Sequence, residues 1–126
     1  MQIQSEIFEK DLPRHISWEE LTFRFCEFRG FDMEGGCITS NFIDCTFEDC
    51  ELYWGFFNGV ALVGVSFRNC IFRGSFFSGC RLVECTFDNC LFTKDNLDGD
   101  CRFDNSRWYG CKQSGTEGLS IEWASI

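Results

Sequence analysis

A period of five residues runs through the chain and constrains its fold more than any other feature. In the middle of the chain every fifth residue is large and apolar, and a small residue precedes each of them by two positions. These repeat centres are Phe47, Leu52, Phe57, Leu62, Phe67, Phe72 and Phe77. A period of five fits neither the 3.6-residue helix nor the alternating strand, so it indicates a repeat architecture in which the chain winds as a solenoid.

Repeat centres can be followed on both sides of this stretch. Upstream they are Phe23, Phe28, Met33, Ile38 and Phe42, with one residue missing near Gly35, Gly36 and Cys37. Downstream they are Leu82, Phe87, Phe92, Leu97, Phe103 and Trp108, with one extra residue within Asp98, Gly99 and Asp100. The repeats are therefore predicted to occupy residues 21–111.

A longer period lies above the five-residue one. The segment Gly55–Gly59 is echoed four repeats later by Ser75–Gly79, which indicates that four sides complete one turn. Stacked turns then place repeat centres in columns inside the coil. One predicted inward column is Phe28, Phe47, Phe67, Phe87 and Trp108. A second is Phe23, Phe42, Leu62, Leu82 and Phe103.

This pattern resembles the pentapeptide-repeat family, whose motif is a small residue, then a central Leu or Phe, then two variable positions. The resemblance implies an all-β fold, a right-handed quadrilateral β-helix of about four to five coils. In such a coil the central residue and the residue two before it point inward. Cys stands here where Ala is commonest, which keeps that position small and apolar. We expect residues 1–126 to form one such domain.

Residues 1–20 precede the clear repeat and are predicted to cap the open end of the core. Gln2–Phe8 could form a short strand, and Ser17–Glu20 has the form of a capping box for a brief helix. An alternative keeps Trp18 as an early repeat centre with Ile16 behind it.

Residues 112–126 are predicted to form the second cap. Leu119, Ile121 and Trp123 alternate with polar residues, which suits an edge strand or a lid over the last coil. In larger members of the family this end carries a dimerising helix, and the tail here is short and Gly-rich. The sequence is compatible with either a monomer or a homodimer.

Charge and composition narrow the class of partner. The formal charge of −9 disfavours direct binding to nucleic acid or to an anionic membrane, since both need basic patches. The sequence has no cationic start followed by an apolar core, and no run of about 18 apolar residues. We therefore expect a soluble cytoplasmic protein whose ten Cys are reduced.

Neither catalysis nor a metal site is predicted. Cysteines stacked in straight columns do not converge tetrahedrally on one ion, and Cys-x-x-Cys spacing is absent. The single His15 lies in the N-terminal cap, and most carboxylates fall at outward, solvated positions. We expect a protein without enzymatic activity and without a cofactor.

The surface offers a candidate partner-binding site. Outward positions on two adjoining sides carry large apolar residues, and acidic residues lie beside them. The apolar residues are Tyr53, Trp54, Phe56, Ile71, Phe76 and Leu91, and the acidic ones are Glu48, Asp49 and Glu51. Clustered exposed aromatics mark interaction sites, although some could instead lie under a cap or in a dimer contact. A second stripe, Ile43, Val63 and Val83, is attributed to ordinary β-propensity.

The family resemblance implies two functions. Small solenoids of this kind are similar to immunity proteins, which bind and block a toxin delivered by neighbouring bacteria, commonly a nuclease, as in type VI secretion. The alternative is the branch that resembles duplex DNA and protects DNA gyrase and topoisomerase IV from quinolones. Those proteins have about twice as many coils and often long loops. Here the acidity is interrupted between Glu51 and Glu84, which favours the first function.

Overall fold

The computed structural model describes residues 2–119, and in that part of the chain it contains strands and turns but no helix. In chain order the strands are β1 (Gln2–Gln4), β2 (Ile7–Glu9), β3 (Thr22–Arg24), β4 (Glu27–Arg29), β5 (Asp32–Glu34), β6 (Cys37–Ile38), β7 (Asn41–Ile43), β8 (Thr46–Glu48), β9 (Glu51–Tyr53), β10 (Phe56–Asn58), β11 (Ala61–Val63), β12 (Ser66–Arg68), β13 (Ile71–Arg73), β14 (Phe76–Ser78), β15 (Arg81–Val83), β16 (Thr86–Asp88), β17 (Leu91–Thr93), β18 (Arg102–Asp104), β19 (Arg107–Tyr109) and β20 (Lys112–Ser114).

The strands build four parallel sheets, one for each side of a square coil. Sheet A contains β1, β3, β7, β11, β15 and β19, and sheet B contains β2, β4, β8, β12, β16 and β20. Sheet C contains β5, β9, β13 and β17, and sheet D contains β6, β10, β14 and β18. The predicted quadrilateral β-helix is confirmed, with about five coils.

Left-handed corners end most of the short strands. The residue after a strand commonly has a positive φ, for example 52° at Asp44, 56° at Asp49 and 64° at Gly59. Asp, Asn and Gly adopt this conformation at the least cost. The corner turns the chain onto the next side, so a three-residue strand cannot lengthen.

The repeat centres fill the coil as ladders of stacked rings. In sheet B the ring centroids of Phe28, Phe47, Phe67 and Phe87 are separated in turn by 4.6, 5.1 and 4.9 Å, with nearly parallel planes. These rings are almost completely buried. The predicted column is therefore correct from Phe28 to Phe87, and burial of such rings supplies most of the stability of the coil.

The two predicted columns are wrong in their last members. Trp108 pairs with Leu82 in sheet A, and Phe103 pairs with Phe77 in sheet D. The cause is Leu97, which is not a repeat centre: it is 80% exposed in a loop, residues 94–101, that joins β17 to β18. The side of the coil predicted around Leu97 therefore does not exist. Each later strand consequently lies in the sheet that precedes the predicted one.

The repeat also begins earlier than predicted. Gln2–Phe8 forms parts of two strands, with Ile3 on Phe23 and Phe8 on Phe28. The brief helix at Ser17–Glu20 is absent, because this segment consists of bends. Ile16 is buried and the Trp18 ring packs against the ring of Phe28, as the alternative interpretation expected. Neither residue lies in a strand.

At the other end the coil continues past residue 111. Strand β20 pairs with β16, and Glu117 forms a bridge with Leu91. Leu119 is buried, whereas Ile121 and Trp123 of the predicted lid lie outside the described residues. The missing residue near the start of the repeat falls between Ile38 and Phe42, not at Gly35–Cys37, since β6 and β7 both keep their register.

The small inward residues do more than fill space. The Cys70 thiol donates to the carbonyl oxygen of Phe47 at 3.4 Å, and the Cys85 thiol donates to that of Leu62 at 3.1 Å. The Ser75 hydroxyl makes the equivalent bond to Leu52 at 2.7 Å. Each acceptor is a repeat centre one coil earlier, so these side chains satisfy buried carbonyl groups that water cannot reach.

Candidate protein-binding surface

Four aromatic residues lie around the corner between sheets C and D, and we call them the aromatic surface: Tyr53, Trp54, Phe56 and Phe76. Tyr53 ends β9, Trp54 forms the corner, and Phe56 begins β10. The Tyr53 and Trp54 ring centroids are 4.4 Å apart at an interplanar angle of 63°, and Phe56 stacks on Phe76 at 5.0 Å. The structure thus brings together the four aromatic residues predicted from the sequence.

Trp54 occupies a backbone position that suits a much smaller residue. Its φ is 57°, in the left-handed region, where the equivalent corners carry Gly35 and Gly74. A bulky side chain there costs about 1–2 kcal/mol relative to the right-handed conformation. Its side chain is also 41% exposed. A glycine would fit this corner with less strain, as it does at the equivalent corners.

Loop 94–101 packs on this surface and fixes the polar ends of two of its rings. The Trp54 Nε1–H donates to Asp95 Oδ2 at 2.6 Å, and the Asn96 amide donates to the Tyr53 hydroxyl at 3.1 Å. Asp95 Oδ1 also accepts the amides of Leu97 and Gly99, at 2.8 and 2.7 Å. The Trp54 hydrogen bond, followed by that from Gly99, lowers the pKa of Asp95 below its ordinary value.

The remaining predicted residues lie across sheet C. Ile71 and Leu91 follow Glu51 in one outward ladder and are half-buried. Glu48 ends β8 in sheet B, and Asp49 forms the corner between sheets B and C. The two acidic residues are therefore on the opposite edge of sheet C from Trp54, so the predicted set spans one whole side of the coil.

A groove opens on the outer face of sheet C. It has a volume of about 230 Å³ and is lined by Asp32, Glu34, Glu51, Tyr53, Trp54 and Asn96. Three of these, Asp32, Glu34 and Asn96, were not predicted. The register places Asp32 beside Glu51 and Glu34 beside Tyr53, which the period of twenty could have shown once the one missing residue is allowed for. Asn96 could not be found, because its segment was interpreted as a repeat.

Two more exposed side chains, Arg102 and Phe25, were not predicted from the sequence. Arg102 lies over the Phe76 ring, with its guanidinium carbon 5.0 Å from the centroid, and it pairs with Asp104 at 2.7 Å. Phe25 is 57% exposed at a left-handed corner between sheets A and B, with φ 53°.

Within residues 2–119, no group of three or more His, Cys, Asp or Glu side chains is arranged to hold a metal ion. That same part of the chain contains no helix long and apolar enough to cross a membrane.

Comparison with known proteins agrees with this geometry. The family model for pentapeptide repeats matches residues 61–98 in eight copies, over strands that stack in register in four parallel sheets. Residues 61–98 of this chain are pentapeptide repeats.

A solved pentapeptide-repeat protein shares its fold. The protein Rfr23 from the cyanobacterium Cyanothece 51142 is 9% identical, with 91% of this chain and 82% of that chain covered and a TM-score of 0.50. Full-length QnrB1, a plasmid-mediated fluoroquinolone resistance protein, is 15% identical, with 92% and 71% covered and a TM-score of 0.33. No curated protein matches the chain. At these identities the likeness is one of fold alone.

Proposed function

We propose that this protein is a non-catalytic immunity protein that binds and neutralises a bacterial toxin, with a nuclease as the toxin class. The observation that carries the proposal is the aromatic surface, with Trp54 exposed and the other three rings half-buried, beside the acidic residues of sheet C on a coil of fixed shape. Tyr and Trp are enriched among the residues that dominate binding energy at protein interfaces.

Shape and charge both support an inhibitor of this kind. The aromatic surface lies on consecutive strands whose backbone is held by ladder hydrogen bonds, so little conformational entropy is lost on binding. Nuclease active sites are basic because they bind phosphate groups, and a chain with a net charge of −9 is attracted to them. The function requires no catalytic residue in the inhibitor.

Genomic neighbourhood and co-expression test the proposal directly. If the adjacent reading frame encodes a toxin domain, co-expression of this protein should restore growth to cells that produce the toxin. A housekeeping neighbourhood and no rescue would reject toxin immunity. Quinolone protection in a gyrase supercoiling assay at micromolar protein would instead support the topoisomerase-binding alternative.

The variant Trp54→Gly tests the surface separately from the fold. Glycine suits a φ of 57°, so we expect the free energy of unfolding to change by no more than about 1 kcal/mol. Toxin affinity should fall roughly 30-fold or more, as for a central aromatic contact. Isothermal titration calorimetry measures the affinity, and urea denaturation measures the stability.

Phe25→Gly is the matched control. It removes another exposed aromatic residue from another left-handed corner, but between sheets A and B. Its toxin affinity should stay within about twofold of the wild type. Equal losses in the two variants would mean that sheets C and D do not form the binding surface.

A further inference from the structure

The groove on sheet C is large enough for one amino-acid side chain and too small for a typical small-molecule ligand. Its volume of about 230 Å³ lies below the roughly 300–1,000 Å³ of sites for small molecules. It is formed where β5 lies above β9, with Trp54 and the loop residue Asn96 at one end. An occupant must therefore be a single extended group that enters from outside the coil.

The groove carries uncompensated negative charge. Asp32 and Glu51 are direct neighbours in the ladder, where two like charges repel. Glu51 pairs with Arg73 at 3.5 Å, whereas Asp32 and Glu34 form no ion pair within residues 2–119. A cation in the groove would relieve this repulsion.

The aromatic part of the groove favours a cation of one shape. The Trp54 indole N–H and the Tyr53 hydroxyl are already hydrogen-bonded to loop 94–101, so what these rings offer an occupant is their faces. A planar guanidinium stacks on such faces and also pairs with carboxylates in a bidentate way, which an ammonium does not. Arg102 over Phe76 makes the same kind of contact on the adjoining side.

We propose that the groove receives one arginine side chain of the protein partner. Its guanidinium lies among the carboxylates of Asp32, Glu34 and Glu51, and its aliphatic part lies against Tyr53 and Trp54. This inference rests on the protein-binding part of the proposed function and not on the toxin activity of the partner.

A peptide titration tests it without the partner. The ¹⁵N-labelled protein is titrated with acetyl-Gly-Arg-Gly-amide and, separately, with the same peptide containing citrulline, which keeps the shape of arginine but has no charge. The arginine peptide should produce saturable shifts of the Trp54 indole N–H and of the Gly35 amide, which donates to the Tyr53 carbonyl. Citrulline should produce none. Equal shifts with both peptides, no shifts, or shifts spread over all four sheets would overturn the proposal.

Charge variants distinguish binding in the groove from general electrostatic attraction to the negatively charged protein. Asp32→Asn with Glu34→Gln should weaken arginine-peptide binding at least fivefold. The control, Glu9→Gln with Asp88→Asn, removes the same charge from the outer face of sheet B and should leave binding unchanged. Equal weakening by both pairs would overturn the proposal. Toxin binding that survives a failed peptide titration would reject the arginine groove and leave the immunity function standing.

Discussion

At the scale of single residues, Phe56 and Phe57 show how the coil divides one pair of neighbours between two tasks. Phe57 points inward, is completely buried and stacks on Phe77 at 4.6 Å. Phe56 points outward, is half-buried and stacks on Phe76 at 5.0 Å. The two rings have similar partners at similar distances, so they differ mainly in how much surface they remove from water.

Alanine substitutions at these two positions should differ accordingly. We expect Phe57→Ala to lower the free energy of unfolding by about 3–5 kcal/mol, because a cavity is left in the ring ladder. Phe56→Ala should cost only about 0.5–1.5 kcal/mol, the value of one aromatic pair, because this ring leaves no cavity in the core. Urea denaturation measures both. Comparable losses would show that ring stacking, and not burial, stabilises the coil.

Within the uninterrupted repeat, which residues point inward could be predicted from the sequence, because the period of five fixes direction residue by residue; Leu97, in the loop, is the exception. The hydrogen bonds at the small positions could not be. Cys85 was interpreted only as a small apolar residue, whereas its thiol also donates to Leu62. That interaction depends on the distance between coils, which a sequence does not contain.

At the scale of structural elements, loop 94–101 is the segment for which the five-residue period predicts the wrong structure. Leu97 follows Phe92 by five positions and therefore continues the repeat in frame. Asp95 decides otherwise, since its carboxylate accepts the amides of Leu97 and Gly99 and the indole N–H of Trp54. A carboxylate that collects three donors stabilises a turn locally, and this competes with a side of the coil. The contact with Trp54 joins two turns of the coil that are not neighbours and has no signature in the sequence.

We expect Asp95→Ala to release the loop from the aromatic surface and leave the coil folded. The indole N–H resonance of Trp54 should move toward that of a solvent-exposed tryptophan, while core resonances stay in place. The matched control is Asp98→Ala in the same loop, whose carboxylate pairs with Lys94 at 3.2 Å and is largely exposed. It should leave the Trp54 resonance unchanged, and an equal change in both variants would contradict the role given to Asp95.

The same contact predicts the direction of a pH effect. The folded state lowers the pKa of Asp95, chiefly through the Trp54 hydrogen bond, so the unfolded chain binds this proton more readily. The contribution to stability is therefore complete above the ordinary carboxyl range and is lost as pH falls through the lowered pKa. In the wild-type protein the Trp54 resonance should stay constant from neutral pH through that range and change only in stronger acid.

At the scale of the whole molecule, the coil is held by contacts between successive turns, and its thiols report on how it opens. All ten Cys are free, and the one that is exposed is Cys37 in β6, while Cys101 is half-buried and the others are buried. Burial raises the pKa of the Cys45 thiol to about 11, so little reactive thiolate forms there near neutral pH. Modification of Cys45 therefore requires the coil to open.

We expect Ellman's reagent to modify one thiol rapidly in the native protein and all ten in urea. Cys37→Ser should remove the rapid phase and leave the slow reaction, whose rate should follow the free energy of unfolding if the coil opens as a unit. The end coils provide the decisive comparison, because Cys26 and Cys111 lie near opposite ends of the stack. Each rate is first corrected for the pKa of the thiol itself, which the hydrogen bond with Cys85 lowers to about 7 at Cys111. Faster opening at Cys26 and Cys111 than at Cys70 after this correction would mean that the solenoid frays from its ends, as repeat proteins can when each turn contacts only its neighbours. Equal rates would mean that the aromatic ladders make all the coils one cooperative unit, which is the rigidity that a preformed binding surface requires.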